Sequence, residues 1–546
     1  MDHFLKDDRT GSMRRLYGQD SLCNSAATNK LNNGIFDIKI SNLNTNPTDQ
    51  ISGNVIFKDV EGGMVAMNGV YRMMYSSGWA GDNSTHAFGY MSTMLVSGVM
   101  GDDMIVSSSV KGWFSMDYNL QERNFYSSTL YRPYSEWNFY YTLISNLNYI
   151  IAHENDLYGL PADKANLFGQ AYALRAMCYF HLIQLYQQTY KGHEQSLGVP
   201  VYTTPTTSST PGKPRGTVEN VYMQINNDIE YGIELLKQAE DGGITQKHKS
   251  HIDYYIANGI KSRIALVQER WQDAVDAAVL ALKKPDLKTA NASELVGGFN
   301  DINMSSVLWG AEIQKSDQIG AYASFFCHMD AMAGMHGSYD RKCISAWLYK
   351  QMGLQDLRRV NWWKGSIAPA LESTQGAQKS YCTMKFRFSD YSSYLGDNIY
   401  MRAEELLLTE AEALCHLKKY KEARSIMETF GTIREKSYVR NRLDKVIDDN
   451  SLTLDVYGTG TTPEIKTLLD EILLQRRIEL WGETGRLFDI LRLKTGYYRG
   501  YEGSNHVVKL NDDTRLPDYK GFILTIPQTE FDGNINMDPI ADQNPL

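Results

Sequence analysis

No run of apolar residues approaches the roughly 18 that a helix needs to cross a bilayer. Nor is there a long basic run in this chain of 546 residues, whose net charge is −9. The first absence argues against a spanning helix, the second against nucleic acid as the main partner. Close CxxC pairs are missing too: Cys23, Cys178, Cys327, Cys343, Cys382 and Cys415 are scattered. A disulfide framework is therefore not expected, and Cys178 and Cys415, set in apolar helical patterns, read as buried thiols. The opening "MDHFLKDDRTGSM" has no apolar h-region, so any signal peptide is expected to have been removed or never to have been there.

What is present fits a globular protein, with 42% hydrophobic and 22% charged residues. The length exceeds what one small core requires, so several subdomains or one large repeat-built domain are expected. Aromatics are abundant, with 35 Tyr, 18 Phe and 9 Trp. That supply is more than a core of aliphatic helices needs and suggests that some aromatics serve a surface.

Long helical patterns dominate. Residues 135–154 repeat apolar positions at helical spacing, through Trp137, Tyr141, Ile144, Leu147 and Ile151, and residues 162–187 do the same. Between them and the next helix lies "LGVPVYTTPTTSSTPGKPRG" (197–216), whose Pro, Thr, Ser and Gly predict a long surface loop. Helical spacing resumes at 217–239, 252–269, 271–284, 399–417, 420–436 and 463–494. The stretch 297–398 differs: it is Gly-rich, aromatic and irregular, with strand-like runs such as "SSVLWGAEI" and "YCTMKFRFS". Binding residues are often carried on such segments over a rigid frame.

Two helix pairs repeat one pattern. Small Ser262 and Ala274 stand twelve apart with Trp271 three before the second; Ala411 and Ala423 do likewise with Tyr420. This is the tetratricopeptide arrangement, in which antiparallel helices approach closely at small residues and an aromatic packs beside the turn. Ordinary helix hairpins are the plainer alternative. Residues 135–187 and 217–239 read as further helices of the same kind.

Several stretches, in order, carry a resemblance. They are "WNFYYTLISNLNYII" (137–151), "GQAYALRAMCYFHLIQLY" (169–186), "GVPVYT" (198–203) and "TVENVYMQINNDIEYGIELL" (217–236). The series continues with "ANGIKSRIALVQERWQDAVDAA" (257–278), "YMRAEELLLTEAEAL" (400–414) and "ILLQRRIELWGETGRLFDILR" (472–492), and closes on "IPQTEFDGNINMDPIADQNP" (526–545). From about residue 60 onward the sequence resembles the SusD/RagB family, surface lipoproteins of Bacteroidetes nutrient-uptake systems. The resemblance implies a mainly α, SusD-like fold over 1–546 as one domain. Tetratricopeptide-like helix pairs would form the scaffold, chiefly 60–296 and 399–494, beside an irregular ligand-binding half at about 297–398 and an extended C-terminal segment, 495–546. It further implies no catalysis and no cofactor, a glycan or oligosaccharide ligand, and a SusC-like TonB-dependent transporter as partner. Localisation would be the outer-membrane surface, with the membrane reached only through an N-terminal lipid anchor. The lipid-carrying cysteine of the family does not appear in this chain, although "DHFLKDD" looks like the segment that follows it. A receptor for a peptide or other nutrient, or a tetratricopeptide scaffold that binds protein segments, are the alternatives.

The stretch 472–494 crowds Arg476, Arg477, Glu479, Glu483, Arg486, Asp489 and Arg492 among Ile, Leu, Phe and Trp. A catalytic carboxylate pair needs its members across a cleft, usually from separate elements, and arginine neighbours keep carboxylates ionised. The segment is also a family signature whatever the ligand, so it reads as a scaffold helix tied by ion pairs along one face, loosened at Gly482 and Gly485. "SSVK" (108–111) with "KTG" (494–496) is read as coincidence, and "HKSH" (248–251) as a solvated helix start. Cys327, His328, His336 and Cys343 have no common zinc spacing, so no metal is expected. "GDD" (101–103) stays open between a structural turn and a calcium ligand.

Stacking of a sugar's apolar C–H face on an aromatic ring, with polar side chains catching hydroxyls, is the chemistry expected for a neutral carbohydrate. Trp137, Trp271, Trp309, Trp347 and Trp481 lie in helical or strand-like patterns. Trp79, Trp113, Trp362 and Trp363 instead sit among Gly, Ser, Asn and Asp, as loop residues do. With Asp82, Asn83 and Arg359 as polar companions, they are the candidate ligand contacts; packing is the plain alternative for each.

Overall fold

The structure, a computed structural model, describes residues 57–545 apart from 81–84, 108–111, 121–130, 208, 247, 318–321, 365–380, 454–464, 508–513 and 515. Two helices, α1 (Val60–Met73) and α2 (Tyr90–Met100), lead through a short strand, β1 (Met104–Val106), into α3 (Tyr131–Ile151) and α4 (Pro161–Tyr186). After the Pro/Thr segment come α5 (Val218–Asp241), α6 (Tyr254–Val267) and α7 (Trp271–Leu282). The irregular stretch carries β2 (Val307–Ala311), β3 (Lys342–Ile344), β4 (Trp363–Lys364), β5 (Cys382–Thr383) and β6 (Asn398–Arg402) between helices of at most six residues. The helical frame then returns as α8 (Ala403–His416), α9 (Tyr420–Arg434), α10 (Leu468–Glu479) and α11 (Arg486–Leu493).

Local chemistry explains the starts. At α5 the Thr217 hydroxyl accepts the Asn220 N–H at 3.1 Å, while the Thr217 N–H donates to the Asn220 side chain at 3.1 Å. Thr467 and Asp470 make the same reciprocal box at α10. Each box satisfies two N–H groups that the first turn would leave orphaned.

Each helix from α4 to α9 packs on the next in chain order. Ser262, Ala274, Ala411 and Ala423 are all buried at these contacts, and Trp271 stacks on His416 at 3.9 Å between ring centroids. The expected tetratricopeptide-like pairs are therefore present. The strands form a four-stranded antiparallel sheet, β1-β3-β5-β4, and a two-stranded pair, β2-β6. One large apolar cluster runs beneath the first helices and the irregular half, and a second fills the space among α6 to α10.

The charges of 472–494 turn inward, away from the single helix face expected for them. Glu479 accepts from Arg358, Arg402 and Arg434 at 3.0–3.2 Å, and Glu483 from Lys385 and Arg402 at 2.5–2.8 Å. Arg477 donates to both Asp102 and Asp103, and Arg486 to Asp102. The partners thus come from the irregular half, β6, α9 and the α2–β1 turn; only Arg492–Asp489 is a helix neighbour. The reason is burial, for nearly all of these groups are shut from solvent, and a buried charge needs a partner on whichever element faces it. Burial opposes ionisation of Glu479, but Arg434 and Arg402 outweigh it and hold the carboxyl well below its ordinary range. The GDD carboxylates are occupied in the same way, by arginines.

Candidate functional site

Of the candidate ligand residues, Trp79, Trp362 and Trp363 correct their expectation of open loops. Trp79 is 2% exposed, packs edge-on against Phe139 at 5.0 Å, and donates its indole N–H to Ser76 O. Trp362, 1% exposed, closes the short helix Leu357–Asn361 and donates to Leu295 O at 2.5 Å. Trp363 is buried where β4 pairs with β5, edge-on to Trp481 at 4.8 Å. A five-residue helix followed by a strand brings both adjacent indoles into the core, which the polar flanks concealed. Asp82 and Asn83 lie outside the described residues.

Trp113 and Arg359 remain half-exposed. Trp113 stacks on His336 with ring centroids 3.6 Å apart, and its backbone N–H donates to Asp340 at 3.1 Å. Tyr322, 58% exposed, lies 5.6 Å from the same imidazole, and Tyr339, 61% exposed, ends the helical turn that carries it. Trp113, His336 and Tyr322 therefore form an aromatic platform on the irregular half. Arg359 contributes to another: its guanidinium lies 4.6 Å over Tyr349, which stacks on Tyr381 at 4.2 Å.

Against the His336 ring of this platform His328 packs in turn, and His86 and Phe114 gather around His328. Burial and the nearby Lys342 lower His336 from its ordinary value. Burial, aided by Arg132 and Lys342, lowers His86 to about 3. The Lys342 ammonium is itself pushed down to about 8 by burial, with Asp340 pulling it back up. These imidazoles are therefore neutral at neutral pH. The imidazoles thus add no charge of their own; the positive charge here is that of Lys342, still largely protonated at neutral pH and 5.4 Å over the Phe114 ring, and of Arg132 on the same ring. Among the described residues no cluster of three or more His, Cys, Asp or Glu could hold a metal ion.

Sequence reasoning missed Tyr322, Tyr339, Tyr349 and Tyr381. With 35 tyrosines in the chain, no single one stands out, whereas nine tryptophans could be weighed singly. The Gly-rich setting of "AGMHGSYD" was the available signal for Tyr339 and His336.

Comparison with known proteins bears on the whole chain. A family model described as starch-binding and associating with the outer membrane matches residues 88–266, and the SusD family model matches 355–546. No curated protein matches the chain. Among solved structures, a SusD-like carbohydrate binding protein from Bacteroides vulgatus ATCC 8482 is 25% identical, with TM-score 0.70 over 90% of this chain and 99% of that one. A laminarin binding SusD-like protein shares the fold at 19% identity and TM-score 0.61, over 89% of this chain and 98% of its own. Surface glycan-binding protein A from Bacteroides thetaiotaomicron does so at 16% identity and TM-score 0.61, over 90% and 100%. With both family models in register along the chain and the helix-pair frame they imply in place, the protein belongs to the SusD/RagB family.

Proposed function

We propose that the protein is a non-catalytic receptor that binds a glycan or oligosaccharide at the cell surface and passes it to a SusC-like TonB-dependent transporter. The observation that carries the binding reading is the half-exposed Trp113, stacked on the buried His336 beside the open Tyr322 ring. A pyranose can lay its C–H face on such rings while hydroxyls reach Tyr339 and backbone groups. The names of the solved relatives, a carbohydrate binding protein and a laminarin binding protein, support the same ligand class. The outer-membrane association in the family description supports the location, reached through a lipid anchor. Against catalysis stands the signature segment, whose Glu479, Glu483 and Asp489 are all engaged by arginine or lysine and so are poor proton donors. Of the residues singled out by sequence, Trp113 and Arg359 are retained as ligand contacts.

Native electrophoresis of the protein in gels containing laminarin, starch, mannan or mucin tests this. Retardation by at least one, lost in a folded Trp113→Ala/Tyr322→Ala variant and without release of reducing ends, is the expected result. Migration unaltered in every gel would move the ligand to a peptide or small nutrient.

A further inference from the structure

A cleft of about 300 Å³ lies on the helical part of the chain, between α3, the Pro/Thr segment and the short helix Gln528–Gly533. One face of α3 supplies its floor: Tyr134, Trp137, Asn138, Tyr141, Ser145 and Asn148 recur at three- and four-residue steps. Tyr202 and Thr206 form the facing wall, and Glu530 closes one end.

The wall has no regular secondary structure, yet it is held in place by side chains. Tyr141 donates to Pro200 O at 2.7 Å, Asn148 to Tyr202 O at 3.0 Å, Tyr149 to Thr206 O at 3.0 Å and Tyr179 to Tyr202 O at 2.7 Å. The helix and its loop are thus fixed with space left between them, a site formed before anything enters it.

The lining defines an occupant. Trp137 and Tyr141 meet at 4.8 Å and Tyr202 stands edge-on to Tyr141 at 6.1 Å, giving an aromatic surface. Hydrogen-bonding capacity is left over around it. Among the described residues the Tyr134 hydroxyl has no partner, and Tyr202 accepts the Lys213 N–H while its own proton goes undonated. The Ser145 and Thr206 hydroxyls are only loosely paired at 3.5 Å. No lysine or arginine lines the cleft. The one carboxylate, Glu530, already accepts from Trp137 at 3.1 Å and Asn534 at 2.7 Å, with lone pairs remaining for hydroxyl donors. The Lys213 ammonium lies 5.5 Å over the Tyr202 ring, outside the lining, and already donates to Val201 O at 2.9 Å. A neutral ring compound bearing hydroxyls would satisfy both the aromatic faces and the unused donors and acceptors.

We propose that this cleft is a second, independent saccharide site, sized for the one or two terminal sugar rings of a neutral glycan. It goes beyond the receptor reading, because no residue of the Trp113 platform lines it. Binding at both places would hold one glycan, or two, on one receptor and raise the retained fraction through effective concentration.

Saturation-transfer NMR with the methyl glycosides of glucose, galactose, mannose and N-acetylglucosamine tests it on the full chain. Ser145→Trp fills the cleft and gives up only the loose 3.5 Å contact with Thr206, leaving the four shorter bonds that pin the wall, and Tyr134→Ala removes an unpaired hydroxyl and one ring. The expected result is transfer to at least one glycoside that falls by more than half in both variants, while a share persists in Trp113→Ala/Tyr322→Ala. Transfer that vanishes only in Trp113→Ala/Tyr322→Ala overturns the cleft site and leaves the receptor reading intact. Transfer that vanishes only in the cleft variants supports the second site and removes the platform. No transfer to any of the four glycosides also overturns the inference.

Discussion

Glu479 is the residue on which most of the buried charge converges, with three arginines from three different elements around one carboxylate. Replacing it by Gln keeps the shape and deletes the charge, leaving Arg358, Arg402 and Arg434 with too few counter-charges. Breaking a buried pair from one side costs about 3–5 kcal/mol, and Glu479→Gln is expected to lower unfolding stability by that order in denaturant titration. His181 is a second informative residue. Both of its ring nitrogens lack a partner among the described residues, and burial, with Arg263 adding to it, lowers it to about 3. The unfolded chain therefore takes up this proton first. The stability that neutral His181 contributes is full above about pH 6.5 and is lost as pH falls toward 3, at roughly 1.4 kcal/mol per pH unit. In His181→Phe the slope of stability against pH across that window should be shallower by one proton; an unaltered slope would contradict the assignment. At this scale the sequence announced the charges of 472–494 but not their partners, because Arg358, Arg402 and Arg434 are distant in the chain and only the fold brings them together.

The same segment shows how far an element can be read from its residues. The periodicity predicts one helix over 463–494, and the structure breaks it into α10 and α11 with a sharp turn between. Gly482 and Gly485 signalled weakness there. What they do is stronger: both adopt positive φ, 78° and 75°, and a Cβ on Gly482 would stand 2.7 Å from the Phe386 ring. Gly482→Ala combines a strained backbone with a clash, and a loss of about 1–3 kcal/mol is expected in thermal or chemical unfolding. A neutral outcome would mean that the turn can relax. The helix pairs were legible because small residues at twelve-residue spacing are a direct consequence of close helix approach. The strands were half legible: "SSVLWGAEI" gives β2, whereas "YCTMKFRFS" yields only the two residues of β5. Strand partners there come from distant segments, and short strands of this kind take their length from neighbours more than from propensity.

For the whole molecule, the large apolar cluster contains residues of both the helical frame and the irregular half, and the Arg358–Glu479 and Lys385–Glu483 ion pairs join the two again. The reading of 1–546 as a single domain then predicts one cooperative unfolding transition by calorimetry and by near- and far-ultraviolet circular dichroism. Two separated transitions would divide the frame from the irregular half. Family and frame were legible in the sequence because they depend on ordered apolar patterns spread over hundreds of residues. Of the proposed binding surface only two residues, Trp113 and Arg359, were legible. Polar flanks do not distinguish an indole on a surface from one that a short helix and strand bury, and Tyr322 and Tyr339 are marked out only by exposure. The central claim is that the Trp113–His336–Tyr322 platform holds a glycan. Titration calorimetry of the intact protein with whichever polysaccharide retards it in the gel, beside Trp113→Ala/Tyr322→Ala, tests that claim most directly. The account predicts a dissociation constant weakened at least tenfold in the variant, about 1.4 kcal/mol, with the melting temperature essentially unaltered. Equal affinities for wild type and variant would contradict it.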